Sequence, residues 1–401
     1  MFFIFGFVTW LNSVLIPYLK IACELNNFES YLVAFSFYIA YFVMALPSGR
    51  LLKITGFKKG MVIGLLVMAL GAAFFIPASL TREYGVFLLG LFILGTGLAL
   101  LQTASNPYVT ILGPRESAAK RISIMGVFNK FAGAIAPIAL GAVALKNVDS
   151  LVLTLHTLPE AERIIQLDEL ASRVLWPYAI IVVVLIVLAG LVYFSGLPEV
   201  DTDKEDEHLA AVNNNKKSIF SFPHLLLGVI TLFLYVGAEV IAGDTIISYG
   251  MSEHISLAVS KYFTTGTLVA MIVGYLLGIL CIPKYITQQN ALRYCALSGI
   301  VFTLAAIFTT GYVSVLFIAL LGLSNSLVWP ALWPLALADL GRFTKIGSSL
   351  LIMGLAGGAF IPLLYGRMVD LFSAREGYWI LIPCYIFIWY FAVWGNKIRT
   401  R

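Results

Sequence analysis

Twelve runs of apolar residues, each about 20 residues or longer, follow one another along this chain: roughly 1–21, 30–52, 60–79, 84–112, 121–145, 175–196, 222–249, 257–282, 290–310, 312–338, 346–370 and 378–396. A helix needs about 20 apolar residues to cross the hydrocarbon of a bilayer. Inside lipid every backbone N–H and C=O must be paired within the structure, so such runs fold as helices. Of the 401 residues 60% are hydrophobic and only 12% charged, where soluble domains carry about 25% charged residues. The expected fold class is an all-α, multi-pass membrane protein. The lipid bilayer is its main partner, and a monomer is expected.

The net charge of +5 does not point to nucleic acid, because its distribution follows the bilayer. With the N-terminus inside, Arg50, Lys53, Lys58, Lys59, Arg115, Lys120, Arg121 and most of the other Lys and Arg fall on the cytoplasmic side. Basic loops stay inside, so both termini are expected in the cytoplasm. No cleavable signal precedes the first run. The four cysteines have no CxxC spacing and read as small apolar residues, and the four histidines lack zinc-ligand spacing. No metal or redox cofactor is expected, and no nucleophile–base pair or phosphate loop argues for an enzyme.

Two loops stand out. Segment 147–174 is external, and Thr157-Leu-Pro-Glu160 reads as a capping box. It opens an amphipathic helix with Ile164, Ile165, Leu167 and Leu170 on its inner face. Segment 198–221 is polar and apolar-poor, a flexible cytoplasmic linker. It divides the chain into six-helix halves, 1–197 and 222–401.

The halves repeat. Residues 124–141 and 352–366 share Ile-Met-Gly followed by Gly-Ala-x-x-Pro-x-x-x-Gly. At an offset of 231, Phe2, Gly6, Ile16 and Tyr18 of span one match Phe233, Gly237, Ile247 and Tyr249 of span seven. Span seven has about ten apolar residues before Phe233, whereas only Met1 precedes Phe2, so the repeat predicts a natural chain that starts upstream. A parallel six-plus-six repeat is the organisation of major facilitator transporters. The loop from Gly49 to Lys59 resembles that superfamily's GxLxDxxGxRR signature, with Lys53 where Asp is usual.

Polar residues concentrate on spans one, four, seven and ten, which line the central cavity in that fold. Span one has Asn12 and Ser13, span four Gln102 and Asn106-Pro107, and span ten Asn325, Trp329 and Trp333; span five adds Asn129 and Lys130. Amide and hydroxyl groups beside tryptophans suit a sugar, which needs directional hydrogen bonds and a ring face to stack on. The plainer readings are hydroxyls bonded to their own backbone, an Asn that relieves a proline kink and tryptophans that only pack. Span seven carries Glu239 and Asp244. Charges at this depth are costly and mark ion pathways or pairs. Lys130, nine residues past Arg121, lies about 13 Å into the bilayer and needs a carboxylate. Glu239 and Asp244 are the candidates; five positions apart, they point about 140° from each other. Gly237 and Gly243 are expected to loosen the helix there.

The stretches FFIFGFVTWLNSVLIP, LLQTASNPYVTILGP, RISIMGVFNKFAG and FLYVGAEV resemble the fucose/glucose/galactose–cation symporter family, and within it the bacterial glucose/galactose branch. The resemblance covers essentially the whole chain. It implies import of a neutral hexose across the bacterial inner membrane by alternating access, driven by Na⁺ or H⁺. Substrate contacts would come from Asn12, Ser13, Gln102, Asn106, Asn129, Asn325, Trp329 and Trp333. The family's coupling carboxylates map to Ser13 and Gln102, which do not titrate, and a fucose-branch Gln maps to Gly126. At offset 231 Ser13 aligns with Asp244. Coupling is therefore expected at Asp244 or Glu239, with a possible Na⁺ there ranked ahead of H⁺. Lys130 replaces a small polar residue; its fixed charge would alternatively give a facilitative uniporter. An exporter on the same fold, or a sugar sensor without transport, are the rival readings.

Overall fold

The computed structural model describes residues 1–111, 118–155, 158–197, 218–282, 284–340 and 343–398. Among them there is no strand, and twelve helical segments are long and apolar enough to cross a membrane. Spans one to five are Phe2–Ala22, Leu32–Leu52, Ile54–Thr81, Tyr84–Ser105 and Ile124–Ala144. Span six is Leu175–Phe194. Spans seven to twelve are Pro223–Asp244, Leu257–Cys281, Gln288–Phe308, Gly311–Leu337, Ile346–Leu371 and Ala374–Lys397. The even count brings both ends of the chain to one face, where the His224 N–H donates to the Ile398 carbonyl at 3.2 Å. The linker residues 198–217 lie outside the described residues.

Local chemistry marks several helix ends. Pro223 supplies the first turn of span seven, where a missing N–H costs nothing. The Thr287 hydroxyl caps span nine by accepting from the Asn290 N–H. Gly56, in the signature loop, turns the chain between spans two and three at φ 75°, ψ 172°, a region open essentially to glycine alone. Beside it Lys58 Nζ donates to the Ser195 carbonyl just beyond span six at 2.6 Å.

Glycine also sets the helix spacing. Lipid does not drive apolar helices together, so close van der Waals packing must. Gly64 and Gly71 on span three interlock with Gly90 and Gly97 on span four. A Cβ on Gly64 would stand 3.0 Å from the Gly97 carbonyl, and one on Gly90 3.0 Å from that of Gly71. Phe75 and Tyr178 stack at 3.7 Å between spans three and six.

The segment between spans five and six carries a helix, Glu160–Ser172, docked on span one through the Tyr18 hydroxyl, which donates to the Leu170 and Ala171 carbonyls at 2.8 and 2.9 Å. The expected inner face is half right. Leu167 and Leu170 are buried, but Ile164 and Ile165 are exposed, since Ala171 shares the docked stripe instead. The helix begins after Pro159 with no side-chain cap; Thr157 of the expected capping box lies outside the described residues. Cys295 and Cys384 are buried, whereas Cys23 and Cys281 are half-buried.

Replacing Gly56 by Ala should cost about 1–3 kcal/mol, because a Cβ is strained at that backbone angle. Thermal unfolding of the purified protein in detergent checks this, with a lowered Tm expected.

Candidate functional site

Three spans are locally irregular beside their polar residues: span one at Leu11, next to Asn12, span seven at Thr245, next to Asp244, and span ten at Leu327, two residues past Asn325. The helices run on through these points, since the Leu11, Thr245 and Leu327 carbonyls each accept from the N–H four residues later. The span-seven glycines do not loosen the helix. Gly237 admits Ile361 and Gly243 admits the Trp10 ring, so both serve close approach.

At the centre one ion pair joins the halves. Lys130 Nζ, from span five, lies 2.5 Å from Glu239 Oε1 of span seven, each side chain 12% exposed. The ammonium also sits 5.0 Å from the centre of the Trp10 ring. That ring is wedged between Gly133 of span five and Gly243 of span seven, where any side chain would collide with it. Cation–π contact adds about 0.5–2 kcal/mol, most where water is excluded. Lys130 thus takes Glu239, not Asp244.

Asp244 is in a different position. Its residue is fully buried, and neither carboxylate oxygen accepts a hydrogen bond from the described residues. It lies within electrostatic reach of Glu239 and of the Tyr31 and Tyr38 phenols. The five-residue spacing turns it away from Lys130, as the helical period requires.

The other expected site residues divide. Asn12 and Asn325 are buried, and each keeps an amide Nδ2 without a partner. Asn325 Oδ1 accepts from the Tyr385 hydroxyl at 3.0 Å, which fixes the amide's orientation. Gln102 Nε2 donates to the Tyr41 hydroxyl at 3.1 Å. Trp329 and Trp333 stack on each other, 5.3 Å apart and 19° from parallel, one turn apart and half-buried. Ser13 instead donates to its own Trp10 carbonyl at 2.8 Å. Asn129 donates to the Phe2 carbonyl at 3.3 Å, tying span five to span one. These two have structural partners in this state. The Asn106 side chain lies outside the described residues.

The tyrosines escaped sequence reasoning. Tyr38 and Tyr41, one turn apart on span two, lie nearly parallel at 6.2 Å and link the span-seven carboxylates to Gln102. Tyr235, Tyr275 and Tyr385 surround Glu239 within electrostatic reach. Their only signal was phenol groups inside apolar spans, which packing explains equally well.

Residues 1–348 match the family model of the Major Facilitator Superfamily. The chain belongs to the major facilitator superfamily. It is a membrane-embedded transporter, not an enzyme. It is 35% identical to the glucose/galactose transporter of Brucella abortus (biovar 1, strain 9-941), over 99% of this chain and 92% of that one. It is 30% identical to the L-fucose-proton symporter of Escherichia coli (strain K12), over 100% of this chain and 92% of that one. The crystal structure of the superfamily transporter FucP in the outward conformation superposes with a TM-score of 0.73 at 29% identity, covering 98% of this chain and 96% of that one. The family read from the sequence motifs is thereby borne out.

Removing one member of a buried pair orphans the other charge and costs about 3–5 kcal/mol. Lys130→Met and Glu239→Gln should each lower the thermal stability of the purified protein. The double variant should recover most of that loss, which a double-mutant cycle on Tm and unfolding free energy measures.

Proposed function

We propose that this protein imports a neutral hexose of the glucose/galactose type across a bacterial inner membrane, both termini cytoplasmic, together with a proton carried on Asp244. One observation carries the reading. Of the two central carboxylates, Glu239 is neutralised by Lys130, while Asp244 is buried with no donor and no counter-ion among the described residues. An ionised carboxylate so placed costs several kcal/mol. A cation arriving with the sugar removes that cost, and its departure on the other side restores it. This couples the charge state of Asp244 to the change of access.

The choice of proton over sodium rests on chemistry. A hard metal cation needs several oxygen ligands around it, whereas Asp244 is a single, fully buried carboxyl group. A proton needs only the carboxyl itself. The Escherichia coli relative is named a proton symporter. The sugar would take the unpaired Nδ2 donors of Asn12 and Asn325 and the amide of Gln102, with the Trp329–Trp333 pair as stacking face. Leaving a buried donor unpaired costs about 1–3 kcal/mol, which sugar hydroxyls relieve. The uniporter reading requires Lys130 to act as the resident cation for transport. Its pairing with Glu239 leaves Asp244 still in need of one, which favours symport.

The test is labelled glucose uptake into proteoliposomes under a proton gradient, a sodium gradient or none. A gradient of about one pH unit, about 1.4 kcal/mol per proton, supports up to about tenfold accumulation at one proton per sugar. Accumulation with protons alone is expected. Asp244→Asn should abolish accumulation yet keep sugar exchange between the two sides. Undiminished accumulation by Asp244→Asn overturns the assignment, and sodium-driven accumulation overturns the proton.

A further inference from the structure

On the face opposite the termini, external by the distribution of basic residues, two carboxylates each reach across from one half to the other. Asp149, just past span five, accepts from the backbone N–H groups of Leu257 and Ala258, at the start of span eight, at 2.8 and 2.9 Å. Asp370, at the end of span eleven, accepts from the backbone N–H groups of Asn27 and Phe28, just past span one, at 3.1 and 2.8 Å. It also accepts from Asn27 Nδ2 at 2.7 Å, and Lys20 Nζ donates to the Oδ1 of the same amide.

The two clamps use corresponding spans of the internal repeat: carboxylates at or beyond the ends of spans five and eleven, and turns that follow spans one and seven, although Asp149 lies eight residues past Gly141 and Asp370 four past Gly366. The recipient amides, 27–28 and 257–258, differ by 230 positions, within one residue of the offset that aligns spans one and seven. At the Asp370 clamp the final glycine of the repeat motif contributes: a Cβ on Gly366 would collide with the Tyr31 ring and stand 3.1 Å from the Asn27 carbonyl, so the end of span eleven comes down closely on the turn that the carboxylate holds.

We propose that Asp149 and Asp370 are positioning residues for transport, twin latches that close the external face and set the balance between the two access states. Each clamp joins groups on different halves, so the external face opens only when both sets of hydrogen bonds break. A carboxylate accepting two backbone N–H groups makes charge-assisted bonds, stronger than neutral ones. Neither residue touches the sugar or cation candidates. The proposal rests on alternating access alone, not on which sugar or cation is carried, so its test reads conformation rather than uptake.

The test is amide hydrogen exchange on the full chain in lipid nanodiscs, followed at residues 27–30 and 257–260. In the wild-type protein the two sets should share one opening free energy, since one event exposes both; clearly unequal protection overturns the proposal without any variant. Asp149→Asn should speed exchange about tenfold or more at its own clamp, and also at the Asn27–Phe28 clamp across the face. Asp370→Asn should do the reverse, and Asp370→Glu, which keeps the charge, should restore slow exchange at both. A purely local cap would accelerate only its own amides, and that result sinks the latch.

Discussion

The Lys130–Glu239 pair is the contact on which the centre of this molecule depends. Two charges taken out of water each lose several kcal/mol of hydration, and at this depth there is little solvent to return it. The pair is tolerated because it is short, central and backed by the Trp10 ring. It crosses the boundary between the repeats, so the same interaction that neutralises the two charges also holds span five against span seven. Its second effect is on Asp244. With that ammonium taken, the remaining carboxylate has no hydrogen-bond partner among the described residues, and the proposed proton is what would balance its charge.

The packing that allows this is mostly glycine. Gly133 and Gly243 make the slot for Trp10, and without that slot Lys130 would lose the ring it sits over. Gly64, Gly71, Gly90 and Gly97 bring spans three and four into backbone contact. In lipid such contacts replace the hydrophobic drive that holds soluble helices together. Rigid packing within each half and breakable polar bonds between halves are what a rocking motion of two bodies requires. The inter-half contacts include a salt bridge and carboxylate–amide clamps, beside close packing such as Trp10 on Gly243 and Tyr38 on Gly358.

Much of the architecture was legible because lipid imposes a coarse rule. Apolar length alone located twelve spans, and the repeated Gly-Ala-x-x-Pro-x-x-x-Gly motif related the halves. The site was only partly legible. Sequence reduced the partner of Lys130 to two carboxylates, but helical angle cannot choose between them without the neighbouring helix. Ser13 read as a substrate ligand, yet its hydroxyl is turned back on Trp10, the competing local bond always open to serine in a helix. The tyrosines around Glu239 gave no distinct signal, since a phenol in a membrane span serves packing and hydrogen bonding alike. Ile164 and Ile165 misled because helix Glu160–Ser172 docks through a narrower stripe than its pattern implies.

The repeat also explains where a carrier can sit. Ser13 and Asp244 occupy equivalent positions in spans one and seven at the offset that aligns the halves. Moving the charge from one span to the other keeps that position in the repeat while changing its neighbours. On span seven, Asp244 stands five residues from Glu239, which Lys130 compensates. Two uncompensated carboxylates at that spacing would repel each other in a medium of low dielectric. The lysine on span five and the aspartate on span seven therefore belong together. The first removes a charge that the second could not have tolerated nearby, which is the condition that the proposed carrier on span seven requires.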